Sequence, residues 1–295
     1  MLMIFGIPAP LLFGQLLLGL INGAFYALLS LGLAIIFGLL NIINFAHGAM
    51  FTVGAFVAWM MLNYIGIGYW PALIIAPIIV GIMGLVLEKL VISRLYQLDH
   101  LYGLLLTFGL ALIIEGLLRN GYGSSGMPYR IPDLLQGATD LGFMFMPNYR
   151  GWVVVAAAVM CIATWLLIEK TRLGATLRAA TENAPLVQAF GVNVPRLISL
   201  TYAGGVALAA FAGVLAAPIY SVNPNMGSNF IITVFAVVVI GGMGSILGSI
   251  VTGFGLGVVE GLTKVFYPQG SATVIFVVMV IVLLARPAGL FGKAA

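Results

Sequence analysis

Residues 11–39, LLFGQLLLGLINGAFYALLSLGLAIIFGL, decide the fold. The run carries no charge and exceeds the roughly 20 residues that take a helix across a bilayer. Gln15, Asn22 and Ser30 break it. The rest of the chain agrees with it: of 295 residues, 62% are hydrophobic and only 7% charged, against roughly 25% charged in a soluble domain. Mean hydropathy is +1.18. A fold this poor in charge needs lipid as its solvent, and no polar block is large enough to form a soluble domain. The whole chain, 1–295, therefore reads as a single transmembrane domain of an all-α polytopic membrane protein. Its formal net charge of +4 belongs to loops that set orientation, not to a nucleic-acid surface. Residues 1–10 contain no Lys or Arg, so the positive region of a signal peptide is missing and the first run is a membrane helix. The single cysteine, Cys161, sits in an apolar run, which excludes a disulfide within the chain.

Working outward, further apolar spans are expected near 49–62, 71–91, 101–118, 151–168 and 197–218, then up to 262 and at 273–285. Residues 230–240 are apolar but too short to cross comfortably. The expectation is about eight transmembrane helices, nine at most, with one or two segments broken or re-entrant. Trp59, Tyr64, Tyr69 and Trp70 read as an interfacial aromatic belt. The longest loop, 120–150, lies on one side. The basic loop 170–196 lies on the other with the tail carrying Arg286 and Lys293. By the distribution of Lys and Arg, the basic side is cytoplasmic, and the 120–150 loop and the N-terminus lie outside.

The search for chemistry is mostly negative. His47 and His100 have no Cys or carboxylate at metal-ligand spacing, so neither a metal nor a catalytic centre is expected. Asp99 and His100 read as a solvated loop end. No G-x-x-x-x-G-K-[ST] phosphate loop occurs. Glu115 and Glu260 are the carboxylates an ion-coupled carrier would use, but each lies near the end of its span and reads first as an interfacial anchor or, for Glu115, four residues before Arg119, as half of a helix-surface pair. The polar knot Asn41, Asn44, His47 and Gly48 is more informative. Polar groups at membrane depth must face protein or water. The knot reads both as a helix cap, with Asn44 capping and Gly48 terminating, and as the lining of a substrate pathway together with Asn22. Gly19 and Gly23, and Gly253, Gly257 and Gly261, form stripes at four-residue spacing that let helix backbones approach, within the chain or across a dimer. Gly241, Gly242 and Gly244 mark a helix break. Residues 171–183 read as an amphipathic docking element.

Four stretches carry a resemblance: GLINGAFYALLSLGLAIIFGLLNIINFAHGAMFTVGAF (19–56), TRLGATLRAATENAPLVQAFGVNV (171–194), GGMGSILGSIVTG (241–253) and RPAGLFGK (286–293). In this order they resemble the permease subunits of branched-chain amino-acid ABC importers, LivH type. The resemblance implies ABC importer permease architecture in a bacterial inner membrane. It implies a second, homologous permease of LivM type, two cytoplasmic ATPase subunits holding ATP and Mg, and a periplasmic amino-acid-binding protein. No cofactor would bind this chain. The 170–196 loop would be the coupling loop, with the ATPase contact spread over Arg172, Gly174, Arg178, Glu182 and Gly191. Permeases for urea, short amides and other amino acids share the architecture.

Overall fold

The computed structural model describes residues 3–4, 7–40, 44–96, 98–142 and 144–292. Asn41 and Lys293 lie outside them. The helices are α1 (Ala9–Leu40), α2 (Ala46–Met60, extended by a π turn at Met61–Ile65), α3 (Tyr69–Leu90), α4 (His100–Tyr122), α5 (Asn148–Lys170), α6 (Arg172–Glu182), α7 (Ala184–Ala189), α8 (Val194–Tyr220), α9 (Met226–Gly241), α10 (Ile246–Phe266) and α11 (Val274–Ala285). Two small antiparallel ribbons join them, β1–β2 at Met3–Ile4 and Ile7–Pro8, and β3–β4 at Ala138–Asp140 and Phe145–Pro147. Among the described residues seven helices are long and apolar enough to cross a membrane: α1, α2, α3, α4, α5, α8 and α10. The apolar helices α9 and α11 are shorter, at 16 and 12 residues. The chain is a multi-pass membrane protein.

Spans consecutive in the chain alternate in direction. Along α1, Gly19 lies against Gly261, Ser30 against Ser249 and Gly38 against Gly244 of α10 and the turn before it, so α1 and α10 are antiparallel along their length. Helix α8 is the central post. Its Gly205 meets Gly32 of α1, its Val206 meets Gly84 of α3, and its Ala210 and Gly213 meet Gly54 and Phe51 of α2. Helices α4 and α5 stand outside this core. Leu105, Leu112 and Leu117 of α4 and Val155, Val159 and Ile162 of α5 are exposed, as lipid-facing side chains should be.

The α1–α10 seam shows why the glycine stripes exist. A Cβ on Gly257 would collide with the backbone of Gly19 and Gly23, and one on Gly253 would stand 2.5 Å from the Ala27 Cα. Without a hydrophobic drive between helices in lipid, dispersion at this range is what holds them. The stripe works within the chain; the dimer-seam alternative is not needed to account for it.

Several sequence expectations shift in detail. The basic loop 170–196 is two short helices, α6 and α7. The second span begins at Ala46, with Gly48 inside it and not terminating it. Tyr69 is buried, its hydroxyl accepting from the Tyr149 hydroxyl (3.2 Å) and the Trp152 Nε1–H (2.9 Å), so it anchors α3 to α5 while Trp70 and Tyr64 remain at the surface. Tyr129, in the 123–147 loop, packs against Tyr69; burial first and that neighbour second push its hydroxyl up to about 12. Asp99 is an N-cap, accepting from the Leu101 N–H at 2.9 Å.

Gly257→Val should be unable to close the seam and should lower stability by about 1–3 kcal/mol or more. Gly255→Val, two residues away with open space at its Cβ position, should be nearly neutral. Thermal unfolding of the two purified variants in one detergent checks the contrast; equal melting would contradict the seam.

Candidate functional site

Helix α2 starts inside the molecule, not at its edge. The Asn44 Nδ2 donates to the Tyr202 hydroxyl at 3.0 Å, and the Phe45 N–H donates to Thr107 Oγ1 at 3.2 Å. Tyr202 lies eight residues into α8 and Thr107 seven into α4, so α2 begins roughly 10–12 Å below the ends of its neighbours at 1.5 Å per residue. Phe45 closes this point by packing on Phe108 and Phe235. Asn44 does not cap α2, whose preceding residue Phe45 makes no side-chain cap; its amide is committed to Tyr202. Gly48 lets α9 approach, since a Cβ there would stand 2.8 Å from the Gly227 carbonyl oxygen. The Gly227 N–H donates to Thr52 Oγ1 at 2.8 Å. The first turns of α2 and α9 thus overlap antiparallel, and α9 too begins below the end of the preceding helix. Broken helices of this kind are tolerated where protein covers the freed backbone.

His47 is fully buried, with Nε2 3.1 Å from the Leu29 carbonyl oxygen. A carbonyl only accepts, so Nε2 carries the proton and Nδ1 is the acceptor. Nδ1 and Asn44 Oδ1 are buried without a partner among the described residues. The knot therefore joins Asn44, His47 and Gly48 at one helix start. Asn22 does not join them. It receives the Tyr220 hydroxyl at 3.0 Å and donates to Glu260 at 3.4 Å. Glu260 also accepts from Tyr26 at 2.8 Å and Lys264 at 2.6 Å. That network ties α1, α8 and α10 together at the end opposite α6.

Glu88, near the end of α3, is a buried carboxylate and not a solvated end charge. It is 2% exposed, accepts from Ser199 at 2.6 Å and from Tyr96, and so ties the end of α3 to α8. Both hydroxyl donors lie outside α3, so nothing in the local sequence marks the pairing. Tyr202, Thr107 and Thr52 were equally invisible: each is an unremarkable hydroxyl until a helix break is brought against it.

On the other face of the site, α6 folds back on α5. A Cβ on Gly174 would overlap the Ile168 carbonyl, so only glycine fits that corner. Arg178 then staples it, donating to the Ile168 carbonyl at 3.2 Å and Glu169 at 3.1 Å. Leu177 and Ala180 face the core, while Arg172 and Glu182 are exposed. Gly191, at φ +84°, turns the chain after α7. Beside it Phe190 is 80% exposed and Leu186 54% exposed, an apolar knob that the sequence reading passed over in favour of charges. Gly242 and Gly244, at φ +100° and +82°, make the expected break after Gly241. The tail closes it: the Leu290 and Phe291 N–H groups donate to the Ile240 and Gly241 carbonyls at 2.8 and 3.1 Å, satisfying the open end of α9. A cleft of about 430 Å³ separates α6 from this break, lined among others by Leu177, Arg178, Gly244 and Phe291. Among the described residues no three His, Cys, Asp or Glu side chains gather as a metal site.

Comparison with known proteins fits this architecture. The chain is 30% identical over 292 residues to the high-affinity branched-chain amino acid transport system permease protein BraD of Pseudomonas aeruginosa, covering 95% of each chain. It is 30% identical over 227 residues to the corresponding permease protein LivH of Salmonella typhimurium, covering 74% of this chain and 72% of the relative. The autoinducer 2 import system permease protein LsrD of Salmonella paratyphi B is 26% identical over 235 residues, 74% of this chain and 68% of the relative. No solved structure matches the chain. Residues 15–284 match the family model described as branched-chain amino acid transport system / permease component, and the chain belongs to that family.

Proposed function

We propose that this chain is one of two membrane-spanning subunits of an ATP-driven importer for branched-chain, aliphatic amino acids, and that it forms half of the translocation pathway. The whole chain acts as a single permease domain and not as an enzyme. A second homologous permease completes the pathway. Two cytoplasmic ATPase subunits bind ATP and Mg, this chain binds no cofactor, and a periplasmic binding protein delivers the amino acid. The observation that carries the reading is the α6–α7 bracket: a glycine corner, an arginine staple and an exposed Phe190 knob, on a chain with no phosphate loop of its own.

Sidedness follows from the cations. Lys89, Arg94, Lys170, Arg172, Arg178, Arg196 and Arg286 lie at the α6 end, against Arg119, Arg130, Arg150 and Lys264 at the other. The positive-inside rule makes the α6 end cytoplasmic. The C-terminus is then cytoplasmic, the N-terminus and the 123–147 loop are periplasmic, and the membrane is the bacterial inner membrane. ATP-driven closure of the ATPases moves α6, which bears across its cleft on the glycine break and tail, and so on α9. Helix α9 rests on Gly48 at the start of α2, so motion reaches the Asn44–His47 knot. A gradient-driven carrier is disfavoured because Glu115 and Glu260 are each paired with a base four residues on. The relative named for autoinducer 2 import makes another small polar solute the second reading.

Proteoliposomes holding the full assembly should accumulate radiolabelled leucine only with internal ATP and external binding protein; accumulation by this chain alone, driven by a proton gradient, would contradict the reading. Phe190→Ser should leave folding intact, because the side chain touches little, yet cut ATP-driven import at least tenfold by removing an aromatic anchor worth about 2 kcal/mol or more. Import rate and retention of the ATPases through purification measure both effects.

A further inference from the structure

Between α2, α4 and α9 lies a cavity of about 60 Å³, walled by Phe45, Gly48, Phe108 and Ile231, with Glu115 and Ser228 at one end. Register fixes which end is polar. Phe108 faces Phe45, and Glu115 lies two turns further along α4, toward the end occupied by the loop before α9. One turn beyond, Arg119 donates to Glu115 at 2.6 Å and to the Asn225 side chain at 2.8 Å. Asn225 is the residue preceding α9, and it gives its oxygen to Arg119 instead of capping its own helix. The first turn of α9 is met instead by Thr52, which accepts the Gly227 N–H, and the positive dipole end of the helix stands beside the guanidinium.

We propose that this is the station where the permease reads its substrate as an α-amino acid. Glu115 takes the ammonium group. Arg119, helped by the start of α9, takes the carboxylate. The apolar cavity takes the side chain. The assignment rests on the functional reading above and goes further by naming the residues. Three features point the same way. The Glu115–Arg119 pair is partly exposed, with side chains 19% and 51% accessible, so it is a weak, solvent-screened pair that a zwitterion displaces at little cost. The opposite charges lie side by side, 2.6 Å apart in the closed pair, so an ammonium and a carboxylate on one carbon can each meet its counter-charge once the pair opens. The cavity holds roughly four to six water-sized groups at about 10–15 Å³ each, which suits a branched aliphatic side chain and not an indole. Gly48, a wall residue that belongs to the knot, couples the cavity to the start of α2, and Gly227 opposite it couples the cavity to α9.

Equilibrium binding to the purified permease–ATPase assembly, without the binding protein, tests the station. Radiolabelled leucine should bind at least tenfold more tightly than leucinamide, which lacks the carboxylate, or 4-methylpentanoate, which lacks the ammonium group. Glu115→Gln should erase the preference over 4-methylpentanoate, and Arg119→Gln the preference over leucinamide, while Arg119→Lys keeps it. Ala111→Leu, which narrows the cavity from its α4 wall and keeps both charges, should weaken leucine at least tenfold and alanine much less. Wild-type assembly that imports leucine while all four variants keep both preferences and wild-type affinity overturns the station alone. Wild-type assembly that neither imports nor binds a branched-chain amino acid overturns the functional reading and the station with it.

Discussion

Where Gly19, Gly23, Gly253, Gly257 and Gly261 meet, the backbones of α1 and α10 touch with no side chain between them. In water such a contact would gain little, because burying glycine removes little apolar surface. In lipid the balance differs: hydrocarbon already surrounds every apolar side chain, so helices associate through close dispersion contacts and satisfied polar groups. The seam fixes the longest helix of the chain, and α8 packs on the same helix through Gly32 and Gly205. These close approaches make a frame rigid enough to hold broken helices at depth.

The broken helices are where the frame becomes useful. α2 and α9 each begin short of the membrane edge, and their first turns cross at Gly48 and Gly227. Freed backbone groups there are met by Thr107 and Thr52. A continuous helix has no such groups to offer a solute, and an exposed break would cost several kcal/mol per unpaired group. Glycine supplies the approach and threonine the partners. The same logic recurs at the α6 end, where Gly242, Gly244 and Gly289 allow the tail to cap α9.

Much of this was legible in the sequence. Apolar runs gave the spans to within a few residues, because lipid imposes length and composition together. Glycine spacing gave the seam, and glycine density the break after Gly241. Illegible were the features that depend on two distant segments meeting. Glu88 looks like an end charge of its span until Ser199 and Tyr96 close on it. Asn22 and Asn44 look alike in sequence, yet one belongs to the Glu260 network and the other to the start of α2. Arg178 looks like a free cation and is an internal staple. In each case the partner lies on another helix, and one-dimensional spacing carries no information about it.

The most direct test of the account is the mass of the intact assembly, taken from native membranes in mild detergent with this chain as the only tagged component. One copy of this chain, one copy of a distinct homologous permease and two ATPase subunits is the composition expected of half a pathway driven from α6 and α7. A chain that leaves the membrane alone, or only with copies of itself, and still moves leucine would contradict it.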